Sequence, residues 1–180
     1  MINRLAFPCL AMAAAIALAL APAAANAQAS ENAVKAAFLP RFARYVTWPP
    51  AAAPKGSEPF VLCVIGADPF GKTLDQAART QAVDGRRIVV RRLESAAGAD
   101  GCQIAFVQGS RLQPAGQLLA ALAGKPVLTV TDAGNGAQRG IIHFSVAGGR
   151  VRFFIDQAAA GRRGLDISSR LLALAIGVRQ

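Results

Sequence analysis

Residues Gly66-Ala67-Asp68-Pro69-Phe70-Gly71-Lys72-Thr73 satisfy the G-x-x-x-x-G-K-[ST] phosphate-loop pattern letter for letter, between an apolar run and a helical pattern. In such a loop successive backbone amides wrap a phosphate, and the lysine meets its outer oxygens. Lys72 and Thr73 are therefore the residues of a candidate nucleotide hydrolase, with Asp132, at the end of the apolar run Val127 to Thr131, as a candidate magnesium ligand. Pro69 argues against this chemistry, because it removes one amide and fixes a dihedral inside the loop, while Phe70 adds bulk. The structural alternative places Pro69 in the first turn of the helix and Phe70 in the core.

His143 is the only histidine, on a segment where Ile141, His143 and Ser145 share one strand face. Ser145 or Ser110 would have to serve as its nucleophile, yet neither lies in a G-x-S-x-G elbow. A partly exposed strand histidine is the expectation. One histidine and two cysteines do not make a convincing zinc set, so no metal and no cofactor is expected.

The chain starts with the three parts of an export signal. Arg4 supplies the positive start, Leu10 to Ala21 forms an apolar run too short to span a bilayer, and Ala25-Asn26-Ala27 follows Pro22 as a small-x-small cleavage site. Cleavage after Ala27 leaves residues 28–180, with a core over about 34–176. Export places the loop where ATP is absent, and the hydrolase reading yields to the address. Cys9 leaves with the leader, so Cys63 and Cys102 remain as an even pair in an oxidising compartment. A disulfide is expected, closing a loop of about 40 residues; two buried free thiols are the alternative.

The formal charge is +10, and losing Arg4 leaves +9. Such a field favours acidic partners, whether protein, membrane surface or cell-wall polymer. Arg86, Arg87, Arg91 and Arg92 cluster on one strand, and Arg139, Arg150, Arg152, Arg162 and Arg163 in the C-terminal half. Nucleic acid is a poor partner for an exported chain whose aromatics lie on apolar faces. Trp48, beside Pro49 and Pro50, is either a core lid or a partner anchor.

These residues must be positioned by alternating elements. Val34, Ala37, Phe38, Phe42, Tyr45 and Val46 mark one helix face, interrupted by Pro40, which is expected to kink the helix or cost it a hydrogen bond, and the helix stops at Trp48-Pro49. Ala51 to Pro59 reads as a linker. Phe60 to Ile65 reads as a buried strand, Thr73 to Arg79 as helix, Arg86 to Leu93 as a strand near an edge, Gln103 to Val107 as strand, Gln113 to Ala123 as helix and Val127 to Thr131 as strand. Gly148-Gly149 joins a hairpin of Gly140 to Val146 and Val151 to Ile155. Asp156 and Ser168 cap two short helices, the last burying Leu171, Leu172, Ala175 and Ile176. The expectation is a single α/β domain with a mixed, largely parallel sheet of five or six strands packed between helices.

Val34-Lys35-Ala36-Ala37-Phe38-Leu39, Tyr45-Val46-Thr47-Trp48-Pro49, Val64 to Gly71, Cys102-Gln103-Ile104-Ala105-Phe106, Val127 to Asp132 and Gly164 to Leu172 occur in this order. In them the chain resembles the YfiR-like family of periplasmic regulatory proteins. The resemblance implies a small α/β domain without a catalytic centre, a Cys63 to Cys102 bridge, and repression of an inner-membrane diguanylate cyclase by contact with its periplasmic part, thereby controlling cyclic-di-GMP. Two departures stand out. A second cysteine pair is missing, and Phe153-Phe154-Ile155-Asp156 replaces Phe-Glu-Ile-Asn.

The reading is thus a non-enzymatic, periplasmic binding module. Trp48, Phe154, Arg91 and Arg92 are its candidate partner residues. Its candidate partners are the periplasmic part of a diguanylate cyclase or sensor, a second copy of itself, and an anionic envelope surface. The alternatives are the hydrolase using Lys72 and Thr73, and a peptidoglycan- or membrane-binding module.

Overall fold

The unbroken apolar run from Phe60 to Ile65 forms β2 (Phe60–Gly66), an interior strand of the sheet covered on both faces. The computed structural model describes residues 27–180, so of the expected leader only Ala27 falls within it. Among these residues no helix is long and apolar enough to cross a membrane. Helix α1 spans 27–42, continuing through Pro40 and beginning earlier than the apolar pattern implied. A 3-10 turn at Ala43–Tyr45 leads into β1 (Val46–Thr47).

The remaining elements are α2 (Lys72–Arg79), β3 (Ala82–Val83), β4 (Arg86–Leu93), β5 (Ile104–Gln108), α3 (Ala115–Ala121), β6 (Leu128–Asp132), β7 (Ile142–Ala147), β8 (Arg150–Asp156), α4 (Gln157–Arg162), β9 (Asp166–Ile167), α5 (Ser169–Leu172) and β10 (Gly177–Arg179). Eight strands form one sheet in the order β10-β8-β7-β6-β5-β2-β4-β3. Pairing is parallel except for the β7–β8 hairpin and the β3–β4 turn at Asp84-Gly85. A separate antiparallel ladder joins β1 to β9, Val46 opposite Ile167. The six long strands are those the hydrophobic runs announce. The strands beyond that count have two or three residues, too few to show a period of two.

One sheet face carries Leu62, Val64, Phe106, Val130, Phe144 and Phe153 against α1, α2, α4 and α5. The other carries Cys63, Ile65, Ala105 and Val107 against α3 and the 3-10 turn at Ala96–Gly98. That second layer stops short of β8, whose Arg150, Arg152 and Phe154 alternate on the same face and are exposed. The last helix is shorter than its spacing suggested. Ser168 caps it as expected, but it ends at Leu172, and Ile176 is exposed where burial was expected. The chain there turns to add β10, through Ile176 N–H to the Phe153 carbonyl.

Candidate functional site

Backbone hydrogen bonding decides what the Gly66–Thr73 loop can do. Asp68 Oδ1 accepts from the amides of both Phe70 and Gly71, at 2.8 and 3.2 Å. The Ala67 amide donates to the Gln108 carbonyl and the Thr73 amide to the Phe70 carbonyl. With Pro69 lacking an amide and those of Ala67, Phe70, Gly71 and Thr73 bonded within the protein, most of the donors that would cradle a phosphate are already spent. Arg92 closes the loop from β4: Nε donates to Asp68 Oδ2 at 2.7 Å, Nη2 to the Gly71 carbonyl at 2.9 Å, and the two terminal nitrogens to Asp75 at 3.1 and 2.8 Å. Its hydrogen bonds hold the Asp75 carboxyl below its ordinary range.

The expectation for Pro69 needs one correction. It lies in the loop, not in the first helical turn, because the Asp68 side chain captures the next two free amides and α2 starts only at Lys72, after Gly71 with φ +49°. Phe70 does enter the core, edge-on to Phe106 with ring centroids 4.6 Å apart. Gly66 is required by close approach: a Cβ there would lie 2.0 Å from the Gln108 carbonyl oxygen, and its φ is +87°.

The suggested magnesium ligand has another task. Asp132 Oδ2 pairs with Lys35 Nζ at 3.0 Å, and Oδ1 accepts from the Gly134 amide. Lys35 and Asp132 are only 5% and 6% exposed, so the pair ties α1 to the end of β6. Lys35 is not among the apolar residues that mark the α1 face. Its Glu31 neighbour four residues earlier, 3.9 Å away, was the available sign of an ion-pair network.

His143 is buried, 4% exposed, which corrects the expectation of a partly exposed residue. The neighbouring Thr131 explains it: Thr131 Oγ1 and His143 Nδ1 lie 2.9 Å apart, so the ring has a polar partner inside the protein. Burial, then the nearby Arg139, push its pKa down. No Ser-His hydrogen bond forms among the described residues, where no cluster of metal-ligating side chains occurs either.

Cys63 and Cys102 form the expected disulfide, with Cα atoms 5.9 Å apart. Beside it Gln103 registers three segments: its side chain accepts from the Val61 amide and donates to the Ala52 carbonyl, while its carbonyl receives Trp48 Nε1–H at 3.1 Å. Trp48 packs edge-on against Phe60 and is buried, as a core lid. Arg91 and Arg92 are exposed on β4, yet both are engaged, Arg91 through the carbonyls of Gly98 and Asp100.

Phe154 is the exposed aromatic among the described residues, 37% accessible on the uncovered part of the sheet. Three neighbours hold it. His143 faces it across the β7–β8 ladder, Arg139 places its guanidinium 5.5 Å from the ring centroid, and Gly177 leaves room on β10, where a Cβ would meet the ring at 2.9 Å. Together with Asp156 and Arg179, which form an ion pair, these residues line an open cleft of about 550 Å³. From sequence Arg139 was read only as one of the C-terminal arginines, and Gly177 was not singled out. A glycine breaking the apolar tail just before Val178 is the signal that could have marked a close approach there.

The site is therefore an aromatic platform among arginines, with no assembled nucleophile among the described residues and a Gly66–Thr73 loop whose amides are mostly engaged. No curated protein matches the chain. The family model described as YfiR/HmsC-like matches residues 32–176, nearly all of the described chain. The protein belongs to this family of periplasmic regulatory proteins.

Proposed function

We propose that the protein is a periplasmic, non-catalytic repressor that binds the periplasmic part of an inner-membrane signalling enzyme, a diguanylate cyclase, and holds it inactive. The observation that carries this reading is the Phe154 platform: an exposed aromatic, fixed by Arg139 and Gly177, continued along β8 by Arg152 and Arg150. An immobilised aromatic flanked by cations suits an acidic protein face with an apolar pocket. Repression is stoichiometric: the bound state is the inactive one, and release shifts the population.

Deleting the gene tests the cyclase role. Cellular cyclic-di-GMP rises on deletion and returns to its starting level with the wild-type chain, but not with Phe154→Glu/Arg152→Glu exported in equal amount. An unchanged level after deletion removes the cyclase from the reading. The exposed arginines also favour an anionic envelope surface as partner. Salt-sensitive retention on peptidoglycan, without any effect on cyclic-di-GMP, promotes that second reading.

A further inference from the structure

The outer side of β4 is used only at its start. β3 pairs with Arg86 and Arg87 and then ends. From Ile88 to Leu93 the strand is paired with β2 along its inner side, and no loop or helix backbone among the described residues bonds to it from outside. Six extended residues with one free edge are a template for a further strand. α2 borders this edge, leaving a cleft of about 330 Å³ lined by Asp75, Arg79, Arg87 and Ile88 to Val90, the Asp75 charge being taken up by Arg92. The valines and Ile88 supply apolar walls. Arg79 and Arg87 are exposed, and neither forms an ion pair among the described residues. Arg91 and Arg92 lie further along, their charges partly committed to Gly98, Asp100, Asp68 and Asp75.

We propose that the open edge of β4 accepts an extended acidic segment of another protein as an added strand. Its backbone pairs with Ile88–Leu93 and its carboxylates meet Arg79 and Arg87. A second copy of this chain is the wrong occupant, because pairing two such edges brings Arg87, Arg91 and Arg92 of one against those of the other. Arg87, which helps guard the edge from self-association, also selects with Arg79 for an acidic strand. Four strands, β7, β6, β5 and β2, separate β8 from β4, so this surface is distinct from the Phe154 platform and stands whether or not a cyclase is bound there.

The probe is a fluorescent octapeptide of the repeat Glu-Glu-Thr-Thr, which as a strand presents carboxylates on both faces, titrated against the exported protein by anisotropy, with amide exchange followed by NMR. Two N-methylated forms carry the methyl groups on odd or on even residues. A strand added to β4 directs only one of those sets of amides at the protein, so one methylated peptide binds at least tenfold more weakly and the other resembles the parent. A lysine-for-glutamate peptide shows no binding, exchange slows at Ile88–Leu93, and Arg79→Glu/Arg87→Glu weakens the parent at least tenfold. Equal binding of all methylated forms, slowed exchange at the Phe154 face instead, or no binding at millimolar peptide overturns the proposal. The peptide series uses unmodified protein, so it decides even if the double variant does not fold.

Discussion

Replacing Cys63 and Cys102 by alanine tests the role of the covalent bridge. The two positions are 39 residues apart. In the chain-entropy account, a closed loop of about 40 residues removes about 13 cal/mol/K from the unfolded ensemble, or about 4 kcal/mol at 25 °C. Cys63 is fully buried beside Ile65 and Ala105, so losing its sulfur leaves a void that costs on the order of 1 kcal/mol more. For a domain whose net stability is about 5–15 kcal/mol, this is a large share. The native state itself changes little, because Gln103 still joins Val61, Ala52 and Trp48 through its own hydrogen bonds. Urea unfolding followed by Trp48 fluorescence therefore shows an unchanged folded spectrum, a midpoint lowered by about 2 M for an m-value of about 2 kcal/mol/M, and a larger m-value from the expanded unfolded chain. A stability loss below about 1 kcal/mol with m unchanged refutes the reasoning.

Lys35→Met strands the buried Asp132 carboxylate and costs about 3 kcal/mol; Lys35→Met/Asp132→Asn recovers part of that in the same urea assay, and an additive double variant contradicts the pairing. Gly66→Ala forces a methyl group against the Gln108 carbonyl at a positive φ, so thermal unfolding shows a loss of about 3 kcal/mol or more, and a stable variant shows that β2 and β5 do not approach so closely. His143 has its folded pKa below the ordinary 6.5, so the unfolded chain binds the proton more tightly and the neutral ring's contribution is complete above pH 6.5 and lost as pH falls towards the folded value. Urea midpoints drop between pH 7.5 and 5, and His143→Gln flattens that slope; an identical slope in the variant removes His143 as its source.

The parts of the fold that were legible are those where one physical signal dominates. Phe60 to Ile65 is apolar without interruption, so it reads as a central strand, and Gly148-Gly149 between two alternating runs reads as a hairpin. Asp156 and Ser168 act as the caps their types suggest, accepting from Ala159 and Arg170 amides. The sheet edges were illegible, because β3 and β10 exist through pairing with β4 and β8 and carry no period of their own. Burial of His143 and Lys35 was equally hidden. Each is a polar residue whose partner, Thr131 or Asp132, comes from a different element, and only the fold supplies that proximity. Phe154 was legible only as the residue standing where the family pattern has glutamate, whereas its support by Arg139 and Gly177 depends on segments brought together by the fold.

The phosphate-loop pattern shows why residue letters and chemistry part company. The pattern counts glycines and a lysine, but phosphate binding depends on unspent amides, and here a single aspartate inside the motif consumes two of them. The charge that completes the network comes from Arg92, twenty-four residues from Asp68, so the loop is stiffened from outside. Stiffness of this kind suits a protein that works by occupancy. A platform whose aromatic ring is already seated loses little conformational freedom on binding, so more of its contact energy appears as affinity. On the proposed function, holding a partner 99% inactive needs only a free concentration of about a hundred times the dissociation constant, a condition set by export level and by whatever competes for the proposed Phe154 contact.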